Sequence, residues 1–180
     1  MAKTQFLTLR LTPLPFTPQQ FYISDLVDER EDRQAVAYLV ATNKNPALPA
    51  ITQSVDLTGG GLHAIREFIW QGLARNMRLR PVEVRLQECR ITETAGTAGR
   101  VNGRIVVAMA FYLQRNNHAV HLVNYRGGAR YDRPASRLTS LEPTLRQSLT
   151  DALQFLNTWM NREAYRNEKL ATGLQLSFTY

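Results

Sequence analysis

Apolar and polar residues alternate with a period of two in several separate stretches, which is typical of β-strands with one buried face. The first stretch, QFLTLRL, precedes TPLPFTPQ, whose prolines cannot donate to a strand ladder. The pattern predicts an N-terminal strand and a proline-rich segment within residues 1–19. Further strands are predicted over FYISDLV, AVAYLVA, ITQSVDL, PVEVRLQECRITET, GRIVVAMAFYLQ and AVHLVNY, with a last strand at residues 170–180.

Two other stretches repeat apolar residues at spacings of three and four, which predicts amphipathic helices. The first helix follows TGGG, carries its apolar stripe from Leu62 to Met77 and is expected to stop before Pro81. The second is expected to begin after a capping Ser140 and to run to about Tyr165. Its stripe of four leucines and a methionine, in SLEPTLRQSLTDALQFLNTWM, predicts a major part of the core.

The order of these elements predicts an α+β fold. We expect a two-layer sandwich in which a largely antiparallel or mixed sheet of about six strands carries both amphipathic helices on one face. Three long consecutive strands predict an antiparallel meander, and the apolar pattern changes face at Cys89, which suggests a bulge or a strand covered on both sides. No repeat or linker divides the chain, so residues 1–180 are predicted to form a single domain.

The charge is unevenly distributed along the chain. The net charge is +7, and 19 of the 22 basic residues are arginine. Residues 61–140 contain 13 basic and 5 acidic side chains, so the whole excess lies in the middle. Arginine suits carboxylate and phosphate groups because its guanidinium is a planar fork of donors. No apolar run is long enough to span a membrane, and we predict no transmembrane segment.

Six consecutive charged residues, DEREDR, run from Asp28 to Arg33 between two predicted strands. Carboxylates in this run could act as a general acid and base or bind a divalent cation. The run lacks the spacing of a calcium loop, and its two arginines offset the acids. We therefore interpret it as a hairpin-like surface turn whose carboxylates pair with nearby arginines.

The segment RGGARYDRPASR, from Arg126 to Arg137, is predicted to be a basic loop containing glycine. Arginines and tyrosines alternate in it, so it could hold an acidic protein or an anionic lipid, or bind nucleic acid through phosphate contacts and base stacking. This loop is the predicted binding site. Its candidate residues are Tyr125, Arg126, Arg130, Tyr131, Arg133 and Arg137.

The other candidate chemistry is weak. His118 and His121 lie three apart in a predicted strand, where side chains three apart point to opposite faces and cannot chelate one metal. The single cysteine, Cys89, is predicted to be a buried structural thiol. TGGG lacks the lysine of a nucleotide-binding loop. We therefore predict no catalytic residue, no metal site and no cofactor.

The chain resembles bacterial cell-envelope lipoproteins of the YajG type and the related auxiliary lipoproteins of ABC-type transport systems. The likeness spans residues ~20–165. It lies in a strand followed by Asp28-Glu29-Arg30, a helix after a glycine turn, a long meander, Tyr125-Arg126-Gly127 and a serine-capped helix. The resemblance implies a small α/β domain that is tethered to a membrane and acts by binding. The family's lipid-bearing cysteine has no counterpart near the start of this sequence.

Together these observations favour a non-enzymatic cell-envelope protein that binds an acidic protein or an anionic lipid through its basic segment, with an accessory role in transport or envelope assembly. The alternative is a cytoplasmic nucleic-acid-binding domain that uses the same arginines. A periplasmic or outer-membrane location is expected if an upstream signal exists, and a cytoplasmic one otherwise.

Overall fold

The computed structural model describes residues 3–42, 45, 47–137 and 141–166. Within them the chain has an α+β fold with a mixed sheet and two helices, as the sequence predicts, and the sheet is open. The predicted C-terminal strand and the predicted helix cap Ser140 lie outside the described residues. The elements are β1 (Gln5–Leu7), β2 (Phe21–Asp28), β3 (Ala37–Ala41), β4 (Ile51–Leu57), α1 (Gly61–Gly72), β5 (Arg80–Ala95), β6 (Arg100–Arg115), β7 (His118–Pro134) and α2 (Leu141–Arg166).

The seven described strands form one sheet in the order β1-β4-β3-β5-β6-β7, with β2 also pairing with β5. The predicted meander of β5, β6 and β7 is confirmed, since both neighbouring pairs are antiparallel. β2 and β3 instead run parallel to β5 and pair with successive parts of its other edge. The sheet is therefore mixed. The bulge, one of the two alternatives predicted at Cys89, is also confirmed, because the register shifts between Leu86 and Glu88.

The two faces of the β5–β7 meander differ in chemistry. Register and alternation place buried side chains such as Val84, Phe111 and Val107 on one face, which we call the inner face. The opposite, outer face carries charged residues. Both helices contribute to the same buried cluster as the inner face, and the predicted stripe of α2 is almost fully buried. That stripe consists of Leu145, Leu149, Leu153, Leu156 and Met160.

α1 ends at Gly72, several residues before the predicted stop at Pro81. The proline-rich segment explains the early end. The backbone N–H of Leu14 donates to the Gly72 carbonyl at 2.9 Å, and a Cβ at Gly72 would lie 3.1 Å from the Thr12 carbonyl oxygen. The N-terminal segment therefore takes the place of the next helical turn, and Met77, predicted to be part of the stripe, is 70% exposed.

The charged run from Asp28 to Arg33 does not form a hairpin, so that prediction is wrong. It joins two strands that both lie parallel along β5. The predicted pairing of its acids with arginine is confirmed for Asp28, which accepts from Arg30 at both carboxylate oxygens at 2.8 Å, whereas Asp32 accepts from the Tyr38 hydroxyl. The hydrogen bonds from Arg30 lower the pKa of Asp28, and the Arg30 side chain is only 3% exposed. The ion pair therefore fills the gap between β2 and β3.

Cys89 is buried in the core, as predicted, and burial raises the pKa of its thiol to about 12. The thiolate is the reactive form of cysteine. We therefore expect iodoacetamide at neutral pH to alkylate Cys89 at least about a hundredfold more slowly in the folded protein than in urea. Mass spectrometry of timed samples measures both rates. Comparable rates would contradict the buried position.

Candidate functional site

The predicted basic loop is a strand for most of its length. β7 continues from His118 to Pro134, and its described side chains from Arg126 to Arg133 alternate between exposed and partly or fully buried. The loop prediction is therefore wrong. Two adjacent glycines suggested a break, but pairing with β6 keeps the segment extended. Because successive strand side chains point to opposite faces, the predicted site is divided between the two faces of the sheet.

Tyr125 and Tyr131 lie on the inner face and pack against the core. The ring of Tyr125 lies 5.2 Å, centroid to centroid, from that of Phe155 on α2. Tyr131 covers Gly103, where any side chain would overlap its ring. Burial raises the pKa of both phenols, that of Tyr131 strongly. Neither ring is placed to stack on a ligand beside the outer-face arginines.

Arg133 also points inward, and its guanidinium is consumed by internal partners. It forms a salt bridge with Glu93, in which the two side chains are 3% and 0% exposed. Nη1 donates to three backbone carbonyls and Nη2 donates to the Val40 carbonyl at 2.9 Å. One of those three carbonyls belongs to Arg137, which follows β7 in a turn. Arg133 is thus a structural residue.

Arg126 and Arg130 lie on the outer face, where they are joined by Arg104 of β6. Arg104 and Arg130 are direct cross-strand partners in the sheet register. Among the residues that the structure describes, neither guanidinium has a hydrogen-bond or ion-pair partner. Like charges directly opposite each other destabilise a sheet. The repulsion between the two guanidinium groups therefore destabilises the sheet, and no described carboxylate offsets it.

Arg126 does have an acidic partner, but the contact is exposed. Its Nη1 lies 2.7 Å from Oε2 of Glu88, and the two side chains are 61% and 34% exposed. Exposed pairs of this kind contribute about 0–1 kcal/mol. An external carboxylate or phosphate can therefore compete with Glu88 for Arg126.

A shallow depression of about 410 Å³ lies between these three arginines. Its floor includes Gly128, whose φ of 154° suits glycine. A side chain at this position would overlap the Ile105 carbonyl oxygen, so β7 approaches β6 very closely here. We call Arg104, Arg126, Arg130 and this depression the arginine face. The depression is lined by Arg104, Ile105, Val106, Arg126, Gly127, Gly128, Ala129 and Arg130.

Other arginines near this face are already engaged. Arg85 donates to Glu83 at 2.6 Å and lies 3.8 Å from the centroid of the Tyr112 ring. Arg100 forms an ion pair with Asp132 at 3.2 Å. Among the described arginines of the outer face, Arg90, Arg104 and Arg130 have no ion pair, although the Arg90 guanidinium lies 5.3 Å from the centroid of the Tyr38 ring. Of these three, sequence reasoning identified only Arg130.

Comparisons with known proteins supply no family. No family model matches the sequence, and no curated protein matches it. Among solved structures, protein XCC0632 from Xanthomonas campestris, of family DUF330, is 16% identical with a TM-score of 0.44, and the match covers 92% of this chain and 99% of that one. An uncharacterized protein is 7% identical with a TM-score of 0.36, covering 91% and 96%. Neither likeness indicates an activity.

In the described part of the chain, neither helix has the length and apolar character needed to cross a bilayer.

Proposed function

We propose that this chain is a non-enzymatic binding protein of the cell envelope that holds an anionic partner on its arginine face. The supporting observation is the direct opposition of Arg104 and Arg130 without a carboxylate partner from the described residues. A bound anion bridging the two guanidinium groups would convert a repulsive pair into charge-assisted hydrogen bonds. Arg126, on the same face of β7, would add a third donor group.

An acidic protein segment fits this face better than an anionic membrane. Attraction to a membrane surface usually involves clusters of about 4–8 basic residues. Here the neighbouring arginines Arg85 and Arg100 each have an acidic partner, and only Arg90, Arg104 and Arg130 lack one among the described outer-face arginines, which is fewer than such a cluster. A few carboxylates at fixed positions match such a local charge, and an anionic lipid surface is the second partner to test.

Nucleic acid is a weaker alternative. Single-stranded nucleic acid is usually held by arginines together with aromatic rings on which bases stack. The two tyrosines that alternate with arginine in the sequence, Tyr125 and Tyr131, pack on the inner face. Base stacking beside Arg126 and Arg130 would require other rings.

The proposal also covers the arrangement of the helices on the sheet and the cellular location of the protein. We propose a single two-layer domain in which α1 and α2 cover one face of the sheet and leave the arginine face open. The contacts of α1 with β2 and β4, and of α2 with β6 and β7, support this arrangement. We further propose an envelope lipoprotein that assists transport or envelope assembly, and fractionation of cells expressing the complete reading frame tests that location.

The binding proposal predicts the behaviour of the double variant R104A/R130A. We expect its affinity for immobilised poly-glutamate to fall at least about tenfold, because each lost charge-assisted hydrogen bond contributes roughly 1.5–3 kcal/mol. Its free energy of unfolding should stay the same or rise slightly, since a repulsive pair is removed. Surface plasmon resonance and urea unfolding measure the two quantities.

The matched control is K3A/R78A, which removes the same charge from two exposed positions away from the arginine face. It should retain binding. Equal losses in both double variants would show that only net charge matters and would reject the proposed site. The same variants are tested with phosphatidylglycerol vesicles and with single-stranded DNA. Binding that is lost in R104A/R130A but kept in K3A/R78A would identify a lipid or a nucleic acid as the partner.

A further inference from the structure

β7 is an edge strand in the described part of the sheet, where it pairs only with β6. α2 contacts β7, and Tyr125 on the inner face packs against Phe155. From Arg126 to Arg130, the backbone edge facing away from β6 has no strand partner among the described residues. A strand edge of this kind can accept an extended peptide as an additional strand.

We infer that the acidic partner binds by strand addition along β7, so that its backbone pairs with the edge that has no partner among the described strands while its acidic side chains meet Arg126 and Arg130. This inference rests on the proposed function and specifies the form of the partner. Directly opposite residues on neighbouring strands have Cβ atoms roughly 4.5–5.5 Å apart, which is suitable for ion pairs.

The alternation of β7 defines the partner's sequence pattern. Arg126 and Arg130 are four residues apart on the outer face, so two acids four residues apart would lie opposite them. Gly128 between them has no side chain and leaves room for a large residue. Gly127 and Ala129 on the inner face are partly buried, which favours apolar neighbours. The expected pattern is acid, apolar, large, apolar, acid.

A second copy of this chain is a poor occupant of the same edge. Antiparallel self-pairing centred on Gly128 would place Arg126 of each copy opposite Arg130 of the other. Parallel self-pairing in register would bring identical arginines side by side. Like charges directly opposite each other are destabilising, so charge complementarity favours an acidic segment of another protein.

Peptides of identical composition test the pattern. A peptide containing Glu-Val-Tyr-Val-Glu places both acids on one face, whereas an isomer containing Glu-Val-Tyr-Glu-Val places them on opposite faces. By isothermal titration calorimetry we expect the first to bind at least about tenfold more tightly, as loss of one hydrogen-bonded charge pair predicts. Variants R126A and R130A should each remove this preference.

Backbone methylation tests the strand pairing itself. N-methyl groups are placed either on the valines or on the intervening residues of the first peptide. Alternate N–H groups of a strand point to opposite sides, so one set should abolish binding and the other should leave it largely intact. Amide hydrogen exchange in Arg126–Arg130 should also slow when the peptide binds.

Each outcome has a separate meaning. If both isomers and both methylated peptides bind equally and lose affinity in R104A/R130A, strand addition is wrong and the proposed function stands. Arginine-dependent binding of vesicles without peptide binding also overturns strand addition and identifies a lipid partner. A dimer that is lost on changing β7 would show that a second copy occupies the edge. Absence of any arginine-dependent anion binding would overturn both the inference and the proposed function.

Discussion

Replacing Arg133 with alanine is expected to lower the free energy of unfolding by about 3–5 kcal/mol, the usual cost of breaking a buried ion pair from one side. The Arg133 side chain is 3% exposed and that of Glu93 is fully buried. Without the guanidinium, the carboxylate remains buried with neither its partner nor water. Urea unfolding followed by circular dichroism should show a lower midpoint with an unchanged slope.

Arg126→Ala is the matched control, because it is the same substitution on the same strand but removes an exposed ion pair. Its cost should be below about 1 kcal/mol. Arg133→Lys should recover little stability, since one ammonium group cannot replace the planar fork that reaches Glu93 and four backbone carbonyls. Similar losses in R133A and R126A would contradict the structural role of Arg133.

The two arginines should also differ in binding. At temperatures where R133A remains folded, its affinity for poly-glutamate should match that of the unchanged protein, because Arg133 does not lie on the arginine face. A fall in affinity without a fall in folded fraction would place Arg133 at the ligand instead. The comparison therefore separates a stabilising arginine from a binding one within a single strand.

Local patterns predict most of the elements because their physical causes are local. The bounds of β4 coincide with ITQSVDL, and the predicted stripe of α2 is buried, since alternation and helical spacing each specify one buried face. The early end of α1 has a non-local cause. The Gly72 carbonyl receives the Leu14 N–H from a segment far away in the sequence, which no helical pattern reports.

Arg104 was missed because its position depends on a bulge. The short turn after Arg115 pairs that residue with His118, and continuing that register would place Arg104 opposite Ala129. An extra residue at Leu122 shifts the register, so Arg104 faces Arg130 instead. The bulge therefore also determines which side chains share a face with Arg126. A sequence pattern gives the alternation within a strand but not the register between strands.

The charged run from Asp28 to Arg33 shows the same limit of prediction from local sequence. The ion pair between Asp28 and Arg30 can be expected from the composition of the run. The burial of Arg30 cannot, because the charged side chains of such a run are usually exposed to solvent. Burial follows from the arrangement of β2 and β3 along β5, which opens a gap that Arg30 fills. The guanidinium then lies against α1, where a Cβ on Gly61 would be 2.7 Å from Nη1 of Arg30.

Replacing Gly128 with alanine should destabilise the protein by about 3 kcal/mol or more, combining overpacking with an unfavourable backbone conformation. The added methyl group would overlap the Ile105 carbonyl oxygen, and φ is 154° at this position. Relief requires β7 to move away from β6, which weakens the strand pair beneath the arginine face. In a protein of this size the melting temperature should fall by roughly 6–12 °C.

Gly127→Ala tests whether that loss is specific to the backbone contact. A methyl group at Gly127 would meet the hydroxyl end of Tyr125, a side chain that can move, rather than a carbonyl of the neighbouring strand. We therefore expect a clearly smaller fall in melting temperature for G127A than for G128A. Because the depression depends on the close approach of β7 to β6, G128A should also weaken poly-glutamate binding at temperatures where it is folded. A G128A variant as stable as G127A would show that β7 does not lie against Ile105 and that the depression lacks the floor described for it.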